Sequence, residues 1–394
     1  LATHDTLTGL YNKNYFAQKT SEILNENPDK EWLLICSNIK DFKLVNDLFG
    51  LEKGNEVLKM EADLLKAQCG EGSVYGRTGG DKFAICIPKE EFKEQDFMDA
   101  IQTMGHAFNN DLYHFHIYVG VYEITDRNEE VSIMCDKANL AIKALGENYD
   151  KSIAYYNDTI FHDTVAEKQL VGDFDKALAE KQFCMYLQPQ VNRDGAAKGA
   201  EALVRWAHPS RGILTPYAFI DILENAGLIY KLDLYIWEKA AQKLAEWKEK
   251  GYGSYHISVN ISTKDFYIID IYETFTGLIN KYGIAASNLH LEITETTLMT
   301  DFEKNMNIIH KLQNVGFRVE IDDFGSGYSS LNMLKDISAD VLKIDMGFLR
   351  KSENEVKGQD ILESIITLAG KIGMDVITAV SYTHLRAHET LMNL

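Results

Sequence analysis

The sequence predicts an α+β domain followed by an α/β barrel of parallel strands. Between residues 32 and 156, short apolar runs alternate with amphipathic helical patterns, which is typical of an α+β domain. After residue 183, strand-like runs recur between longer helical patterns. Because neighbouring parallel strands need a helical crossover, this alternation favours parallel strands, and the number of runs favours a barrel.

Length and charge limit what the protein can be. The chain has 394 residues, enough for two or three domains, with 40 basic and 59 acidic side chains and a net charge of −19. An acidic surface repels polyphosphate, so we expect neither a nucleic acid polymer nor an anionic membrane as a partner, while a small anion carried with a cation fits. No apolar run reaches the roughly 18 to 20 residues that span a bilayer, and we expect a cytoplasmic protein. The five cysteines lie far apart, mostly in apolar runs, and predict reduced, buried thiols.

The first domain is expected to span residues 1–160. Its strands are predicted at 32–35, 74–75, 83–87 and 116–121. Its amphipathic helices are predicted at 51–66 and 131–145. Residues 161–175 are charged and helical in pattern, so we expect them to connect the two domains.

The second domain is expected to span residues 176–379. Its first two strands, at 183–187 and 200–204, are separated by Asn-Arg-Asp-Gly at 192–195, which predicts a hairpin turn. Its later strands are predicted at 257–261, 289–293, 318–321, 341–344 and 375–378. The last residues, 380–394, continue neither the strand period nor the helix period.

Oxygen-bearing side chains end the strand-like runs of the second domain. They are Glu201, Asn260, Glu292, Asp322 and Asp323. Because strand C-terminal ends meet on one face of a parallel barrel, these side chains would converge. Carboxylates that close repel by roughly 4 kcal/mol per pair at 4 Å, and oxygen-only ligands select Mg²⁺ or Mn²⁺. The alternative is that each acid is an N-cap of the helix after its strand.

The sharpest local signal is Asp-Asp-Phe-Gly-Ser-Gly-Tyr at 322–328. Adjacent side chains on a regular strand point to opposite faces, so Asp322 and Asp323 can serve one site only where the strand ends and the backbone turns. Gly325 and Gly327 would supply that freedom and permit a mobile loop. A plain acidic turn is the alternative, which the apolar strand directly before it disfavours.

Two cationic residues accompany the acids. Lys343 stands among apolar neighbours on the next strand and would need the carboxylates as counter-ions. It would neutralise charge, or position a water or steady a transition-state phosphate. Arg205, on the Glu201 strand, fits either a phosphate clamp or a surface salt bridge.

These motifs together resemble a known family. In chain order they are Glu-Ala-Leu-Val-Arg-Trp at 201–206, His-Pro at 208–209, Gly-Leu-Ile at 227–229, Val-Asn-Ile-Ser at 259–262, Glu-Ile-Thr-Glu at 292–295, Asp-Asp-Phe-Gly at 322–325 and Leu-Lys-Ile-Asp at 342–345. The set is similar to the EAL-domain phosphodiesterases over about residues 173–378. The family's order is kept, which makes a chance similarity negligible.

The resemblance implies a modified triosephosphate-isomerase-type barrel that hydrolyses cyclic di-GMP to linear pGpG with two Mg²⁺ or Mn²⁺ ions. The residues that would bind metal are Glu201, Asn260, Glu292, Asp322 and Asp323. Lys343 would hold the nucleophilic water, and Glu295 would anchor the loop at 322–328, where Ser326 replaces the usual threonine. The residues that would contact substrate are Gln188, Leu203 and Arg205. Two such ions activate a water and clamp the attacking and leaving oxygens.

The first domain resembles the GGDEF, or diguanylate cyclase, domain. The motifs that carry this resemblance are His-Asp-Thr-Leu-Thr-Gly-Leu-Tyr-Asn at 4–12, Phe-Lys-Leu-Val-Asn-Asp at 42–47, Gly-Gly-Asp-Lys-Phe at 79–83 and Asp-Lys-Ala at 136–138. In that family the two glycines let a hairpin approach the GTP phosphates while acids hold Mg²⁺. The resemblance therefore implies a nucleotide site here.

Substitutions damage that site. They are Asn38 where a metal-binding aspartate is usual, Lys82 for the last acid of the signature, and Asn55 for the acid that reads guanine. Gly70 and Ser73 stand where an Arg-x-x-Asp inhibition motif is expected. Because these changes remove negative charge beside a divalent ion, we expect no condensation of GTP. A degenerate domain that regulates or dimerises its neighbour is preferred, and GTP sensing through Asn46 and Lys143 is a second hypothesis.

The resemblance stops near the C-terminus. EAL domains continue with Ala-Glu-Gly-Val-Glu-Thr and a later Gln-Gly-Tyr, whereas this chain has Thr-Ala-Val-Ser-Tyr-Thr at 378–383. Ala379 therefore occupies the place of a catalytic glutamate. We expect residues 380–394 to be a non-native tail, the barrel to be incomplete at its C-terminus and the activity of this chain to be impaired. The sequence begins at Leu1, and we expect a missing upstream part, which in this family often holds a sensor or membrane segment.

Two other functions stay open. One is a noncatalytic scaffold that binds cyclic di-GMP and signals, although such receptors commonly lose a metal ligand and this chain keeps the set through Asp323. The other is a metal-dependent barrel hydrolase for a different phosphate ester. EAL domains often pair near residues 322–335, so a homodimer through the second domain is also expected.

Overall fold

The computed structural model describes residues 3–68, 70, 72–108, 116–146, 151–192, 194–324, 337–344 and 355–378. The chain divides into two compact units, Leu1–Ala166 and Glu167–Leu394. The division falls inside a 22-residue helix, Asp158–Ala179, which contains the predicted connector.

The first unit combines strands and helices along its whole length. Its strands are β1 (Tyr11–Asn12), β2 (Trp32–Ile39), β3 (Val74–Gly79), β4 (Lys82–Pro88), β5 (Ile117–Glu123) and β6 (Ile153–Tyr155). Its helices are α1 (Lys13–Glu26), α2 (Phe42–Phe49), α3 (Leu51–Gln68), α4 (Glu94–Phe108) and α5 (Val131–Ala144). Every strand and helix predicted for this unit is present, most of them longer than the pattern indicated.

The sheet of the first unit is covered by helices on both faces. Its strand order is β1-β3-β4-β2-β5-β6, and the central strand β2 is antiparallel to both neighbours. Alternate residues of β2 enter two separate apolar clusters: Leu33 and Ile35 pack with α3 and α4, whereas Leu34 and Cys36 pack with α1 and α5. Because successive side chains point to opposite faces and both faces are covered, the strand is apolar throughout. The predicted α+β class is confirmed.

The second unit alternates strands and helices. Its strands are β7 (Phe183–Val191), β8 (Ala197–His208), β9 (Gly212–Leu214), β10 (His256–Ile261), β11 (Leu289–Thr294), β12 (Arg318–Phe324), β13 (Val341–Ile344) and β14 (Asp375–Thr378). Its helices are α6 (Asp158–Ala179), α7 (Ile220–Asn225), α8 (Ile229–Glu249), α9 (Asp265–Ile268), α10 (Ile271–Tyr282), α11 (Glu295–Thr300), α12 (Phe302–Val315) and α13 (Glu355–Lys371).

The sheet of the second unit is a curled, mostly parallel half-barrel. Its order is β14-β13-β12-β11-β10-β8-β7, with β9 paired to β8. The hairpin predicted between the first two strands is present, and Gly195 takes a positive φ of 81° in its turn. From β8 to β14 every neighbouring pair on the path is parallel. Within the described residues the sheet stays open between β7 and β14, which fits an incomplete TIM-like barrel, as predicted.

The two faces of the parallel strands differ sharply in polarity. On β10, Ile257, Val259 and Ile261 belong to the single apolar cluster that the sheet forms with its helices. The intervening side chains of β10, His256 and Ser258 among them, point to the inner face of the barrel. The strands β11 and β12 repeat this alternation, so the polar residues of three neighbouring strands share one face.

Four of the five cysteines lie within the described residues, and not all of them are buried. Cys36, Cys86, Cys135 and Cys184 are free thiols. Cys184 on β7 is exposed, because it lies on the polar side of an edge strand of the described sheet, so burial was wrongly predicted for it. Cys69 lies outside the described residues.

Two predictions concern parts of the chain beyond the sheets. In the part of the chain that the structure describes, no helix has the length and apolar character that a membrane crossing requires. Ala379 and the expected non-native tail, 380–394, lie outside the described residues.

Candidate active site

The inner face of the second sheet gathers three carboxylates around one ammonium group. The Nζ atom of Lys343 on β13 lies 2.9 Å from Oε2 of Glu201 and 2.9 Å from Oε2 of Glu292. It lies 3.3 Å from Oδ1 of Asp322. Glu201 is 142 residues away from Lys343 in the sequence, so only the parallel register of β8, β11, β12 and β13 brings these groups together.

Burial makes this cluster electrostatically demanding. The side chain of Lys343 is 6% exposed and that of Glu292 is 0% exposed. Burial alone would lower the pKa of Lys343, but the charges of Glu292, Glu201 and Asp322 outweigh it and raise that pKa above its ordinary value. Burial, and then the neighbouring charge of Glu201, hold the pKa of Glu292 well above its usual range. Three carboxyl groups therefore share the single ammonium group of Lys343.

The donor set fits a divalent ion. Oε1 of Glu292 is buried and has no hydrogen-bond partner among the described residues, which is costly for an acceptor unless a cation or a proton meets it. Asn260 lies directly across from Glu292 in the register of β10 and β11, and its side chain is exposed. Carboxylate and amide oxygens are the ligands that Mg²⁺ and Mn²⁺ prefer.

The two adjacent aspartates are accommodated by a bulge in β12. The register against β13 shifts between Ile321 and Phe324, and Asp323 takes a positive φ of 55°. The backbone therefore turns at Asp323 itself. Asp322 is half-buried and faces Lys343, whereas Asp323 is exposed. Gly325, Ser326, Gly327 and Tyr328 lie outside the described residues.

The predicted position of Glu201 at a strand end is wrong. β8 runs on to His208, so Glu201 stands near the middle of a 12-residue strand. The extension arises because the residues after Val204 pair with β7 on one side and β9 on the other. Glu201 still reaches the site, since β8 is offset from β10 such that Glu201 pairs with Ser258.

The residues predicted to contact substrate share the face of Glu201. Leu203 and Arg205 follow it at alternate positions of β8, and Gln188 on β7 is its direct cross-strand partner. The guanidinium of Arg205 lies 5.7 Å from the ring centre of Tyr186, and its Nη1 donates to the carbonyl of Val204 at 2.8 Å. Tyr186 was not singled out from the sequence.

The N-cap alternative for the acids does not hold in the described residues. The helix after β11 begins directly at Glu295, and its cap is Thr294, whose side chain accepts from the backbone N–H of Thr297. Glu292 lies inside β11, and the helix after β10 is preceded by Lys264 and not by Asn260. Glu295 is half-buried at the first turn of α11; the loop it was expected to anchor, and the dimer segment up to residue 335, lie largely outside the described residues.

Sequence inspection missed a second polar layer of the barrel. Oε1 of Glu320 on β12 lies 2.6 Å from Nδ1 of His290 and accepts from the hydroxyl of Ser258 at 3.1 Å. The side-chain ligand atoms of His256, His290 and Glu320 all lie within 4.8 Å of one another. The signal was available, because β10, β11 and β12 each carry a polar residue at every second position, but only the residues near the strand ends were singled out.

The first unit contains the residues that were compared with the nucleotide site of the GGDEF domain. Asn38 on β2 and Lys82 on β4 are direct cross-strand partners, so a lysine side chain leaves the same face of the sheet as the neutral residue. Oδ1 of Asn38 is buried without a hydrogen-bond partner among the described residues. The turn that contains Gly79 and Gly80 is held by Arg77, which donates to the carbonyl of Gly80.

Two family models match the chain. The EAL domain model matches residues 171–380, which is more than half of the chain. The diguanylate cyclase, GGDEF domain model matches residues 2–151.

Known proteins resemble both units. MucR of Pseudomonas aeruginosa, named a bifunctional diguanylate cyclase/cyclic di-GMP phosphodiesterase, is 27% identical over 387 residues, which cover 96% of this chain and 56% of MucR. The chain thus spans about half the length of the curated relatives it matches. A solved structure of the MucR phosphodiesterase in complex with cyclic di-GMP is 32% identical, with a TM-score of 0.50, and covers 53% of this chain and 85% of that chain. The S helix-GGDEF-EAL part of LapD from Vibrio cholerae, bound to cyclic di-GMP, has a TM-score of 0.58 at 18% identity and covers 96% of this chain and 90% of that chain.

Fold and site define the second unit as an incomplete TIM-like barrel with an acidic, lysine-centred site, preceded by an α+β unit. The chain belongs to the EAL-domain family and is a tandem GGDEF–EAL protein. Related EAL domains are cyclic di-GMP phosphodiesterases or cyclic di-GMP binders, and the phosphodiesterases are generally metal-dependent.

Proposed function

We propose that the second unit hydrolyses cyclic di-GMP to linear pGpG with two Mg²⁺ or Mn²⁺ ions. The observation that carries the proposal is the convergence of Glu201, Glu292 and Asp322 on the ammonium of Lys343, with distances of 2.9, 2.9 and 3.3 Å. Receptors that only bind the dinucleotide do not need such a concentration of buried acid. The boundaries that go with this proposal are a GGDEF domain at 1–160, a connector at 161–175 and an EAL domain at 176–379.

We assign the roles of the acids from the family resemblance and, for Glu201, Glu292 and Asp322, from their convergence on Lys343. Glu201, Asn260, Glu292, Asp322 and Asp323 would hold the ions. Such ions supply an activated water and charge neutralisation for an in-line displacement at phosphorus. The partnerless oxygen of Glu292 is the strongest single support for a cation at this place.

The remaining residues bind and orient. The three carboxylates hold Lys343 in its charged form, so its ammonium can donate to the attacking water and fix the direction of attack. Arg205 and Gln188, on the neighbouring strands β8 and β7, present donors to a phosphate and a base on the same face. The backbone and side chain of Leu203 lie between Glu201 and Arg205, where substrate would pass.

Turnover of cyclic di-GMP by the full chain tests the proposal. Product release is followed by chromatography in Mn²⁺, beside binding of the dinucleotide by calorimetry. Glu201→Gln keeps the shape and removes the charge, and we expect it to lower the rate by at least about 100-fold. The matched control is Glu303→Gln, an exposed acid on α12, which should leave the rate unchanged.

The alternatives give different results. Tight binding of cyclic di-GMP that stays uncut would favour the noncatalytic scaffold over hydrolysis by this chain, whose activity was expected to be impaired. Cleavage of another phosphodiester, with cyclic di-GMP neither bound nor cut, would establish a different hydrolase. Sedimentation of the chain with and without the dinucleotide tests the homodimer that forms part of the proposal.

We further propose that the first unit does not condense GTP and regulates the second. The support is the pairing of Lys82 with Asn38, which puts a positive charge and a neutral amide where a divalent ion would need acids. Asn55 is exposed on α3 and supplies no carboxylate either. Calorimetry with GTP and Mg²⁺ separates regulation from sensing, since heat of binding without formation of cyclic di-GMP would favour a GTP sensor that uses Asn46 and Lys143.

A further inference from the structure

Two histidines and a glutamate meet near the strand starts of the barrel, in a polar layer next to the carboxylates around Lys343. His256 is the first residue of β10, and His290 and Glu320 lie in the early parts of β11 and β12. Parallel register brings them to one level of the inner face, and their ligand atoms all lie within 4.8 Å of one another. Neither the family motifs nor the proposed hydrolysis uses these three residues.

Both imidazoles are held through the same ring nitrogen. Nε2 of His256 lies 2.7 Å from Oε1 of Gln190, and Nε2 of His290 lies 3.2 Å from the carbonyl oxygen of Ser287. Amide and carbonyl oxygens only accept, so each Nε2 carries the hydrogen and donates it. Nδ1 is then the ring atom that each histidine turns towards the group. In His290 it lies 2.6 Å from Oε1 of Glu320, so a metal ion would replace the proton shared by these two atoms. Histidines that ligate metals are oriented in this way, through an acceptor on the other nitrogen.

The carboxylate of the group has an unused oxygen. Glu320 is 0% exposed, and its Oε2 has no hydrogen-bond partner among the described residues. Its direct cross-strand neighbour Glu292 can donate to it when protonated, so a metal ion bound by Glu320 would compete with that proton. A buried carboxylate oxygen that lacks a donor when Glu292 is ionised is a place for a cation.

A glycine makes room for the group. A Cβ atom at Gly199, the partner of His256 in the register of β8 and β10, would lie 2.4 Å from Nε2 of His256 and 2.5 Å from two ring carbons. Any other residue would push the imidazole out of the barrel. Glycine inside a strand weakens it, and close approach of another group is a common reason for its presence.

The rings lie face to face, and one must tilt to share an ion. Their centroids are 3.9 Å apart with an interplanar angle of 3°, so their lone pairs lie in parallel planes. His256 can be the ring that tilts, because it begins its strand and is only half-buried. Burial and the neighbouring His290 lower the pKa of His256 to about 4, so its ring is neutral at physiological pH.

We propose that His256, His290 and Glu320 bind one divalent transition-metal ion of the Zn²⁺, Co²⁺ or Fe²⁺ class. Two imidazole nitrogens and one carboxylate form the ligand set that these ions prefer, whereas Mg²⁺ prefers oxygen alone. Metal–ligand bonds near 2.1 Å place tetrahedral ligands roughly 3.4 Å apart, so the 2.6 Å between Nδ1 of His290 and Oε1 of Glu320 must open by less than about 1 Å. The site differs in ligand chemistry from the carboxylate set around Lys343.

Titration of the full chain with Co²⁺ in a large excess of Mg²⁺ tests the proposal. Mg²⁺ fills any oxygen-only site, while Co²⁺ with nitrogen ligands at low coordination number gives intense visible absorption bands. We expect one equivalent of Co²⁺ to give such bands and one equivalent of Zn²⁺ to remove them. His256→Gln should weaken Co²⁺ binding by at least about 100-fold.

The matched control is His208→Gln. His208 is also buried and paired, with Asp173 and Ser210, but it lies outside the group. The His208→Gln variant should bind Co²⁺ with the same affinity as the unmodified chain. Full competition of Co²⁺ by Mg²⁺, or unchanged Co²⁺ affinity in a folded His256→Gln variant, would overturn the proposal.

A measurement on the unmodified chain covers the case in which His256→Gln does not fold. Proton spectra of the Co²⁺-loaded chain should contain two strongly shifted, exchangeable signals, from the Nε2–H groups held by Gln190 and Ser287. Absence of such signals would mean that the group is a buried ion pair without metal, and would likewise overturn the proposal.

Discussion

Lys343 is the counter-ion of three carboxylates in the second unit. Its ammonium lies within 3.3 Å of three carboxylates, and removing it would leave buried like charges without a counter-ion. Lys343→Met keeps the length of the side chain. We expect it to lower the free energy of unfolding by about 3 kcal/mol in chelator. Mn²⁺ should restore much of that loss, because the ions replace the missing charge.

Urea denaturation with and without Mn²⁺ measures this effect. The matched control is Lys281→Met, which removes an exposed ammonium that pairs with Glu238 at 2.5 Å, and exposed pairs contribute little. A loss for Lys343→Met that is the same in chelator and in Mn²⁺ would speak against a cation site at these carboxylates.

Glu61 makes the stability of the first unit depend on pH. It is 1% exposed on α3, and burial, with a smaller contribution from Asp81, raises its pKa from an ordinary value of 4.5 to about 8. Between pH 4.5 and about 8, Glu61 is protonated in the folded unit and ionised in the unfolded chain. The free energy of unfolding is therefore highest below pH 4.5 for this group and falls as the pH rises through about 8, by up to roughly 5 kcal/mol.

Glu61→Gln removes the titration but keeps an acceptor for the hydroxyl of Ser37, which lies 2.6 Å from Oε1. We expect the variant to match the unmodified chain at pH 5 and to be more stable at pH 8. Pulsed hydrogen exchange of β2 peptides across a urea series measures this, with Glu56→Gln, an exposed acid on the same helix, as the control. Equal stability of Glu61→Gln and the unmodified chain at pH 8 would rule out the raised pKa.

Among the elements, β12 depends on a residue in the left-handed region. Asp323 has a φ of 55°, which aspartate and asparagine tolerate and β-branched residues do not. We expect Asp323→Val to be less stable than Asp323→Asn by roughly 1 to 2 kcal/mol. Both variants lose the carboxylate, so urea denaturation in chelator isolates the backbone effect. Equal stability of the two would mean that the bulge relaxes at no cost.

A helix and a strand of the first unit touch through a glycine. A Cβ atom at Gly120 on β5 would lie 1.9 Å from the backbone carbonyl oxygen of Ala138 on α5, and backbone cannot give way as a flexible side chain can. We expect Gly120→Ala to cost about 3 kcal/mol or more. Gly172→Ala, inside α6 where nothing lies within 4 Å, should instead stabilise by up to about 1 kcal/mol. Thermal unfolding of both variants measures the contrast, which a similar shift in both would contradict.

The strands also show how much of the fold could be predicted from the sequence. The runs at 257–261, 289–293 and 318–321 predicted β10, β11 and β12, because their outer faces pack on helices and are apolar. The offset between strands is a tertiary property that no local pattern announces, so Glu201 was expected at a strand end and lies mid-strand. Glu320 was passed over for a different reason: only the polar residues near the strand ends were singled out, and its partner His290 is 30 residues away in the sequence.

For the whole molecule, the two units should respond differently to a divalent ion. The second unit gathers acids around Lys343, whereas the first pairs Asn38 with Lys82. We expect Mn²⁺ to slow hydrogen exchange in peptides from β8, β11, β12 and β13 and to leave β2 and β4 unchanged. Mass spectrometry of the exchanged peptides measures this, and protection of β2 and β4 would show that the first unit keeps an ion site.

The junction between β11 and α11 has a consequence of its own. The strand ends at Thr294 and the helix begins at Glu295, with no residue in between. Because one helical residue corresponds to a rotation of about 100°, an insertion or deletion at this junction would swing the Glu295 side chain by roughly a quarter of a turn. The direction of that side chain is thus set by the spacing of Glu295 from β11, while Thr294 supplies the cap that starts the helix there.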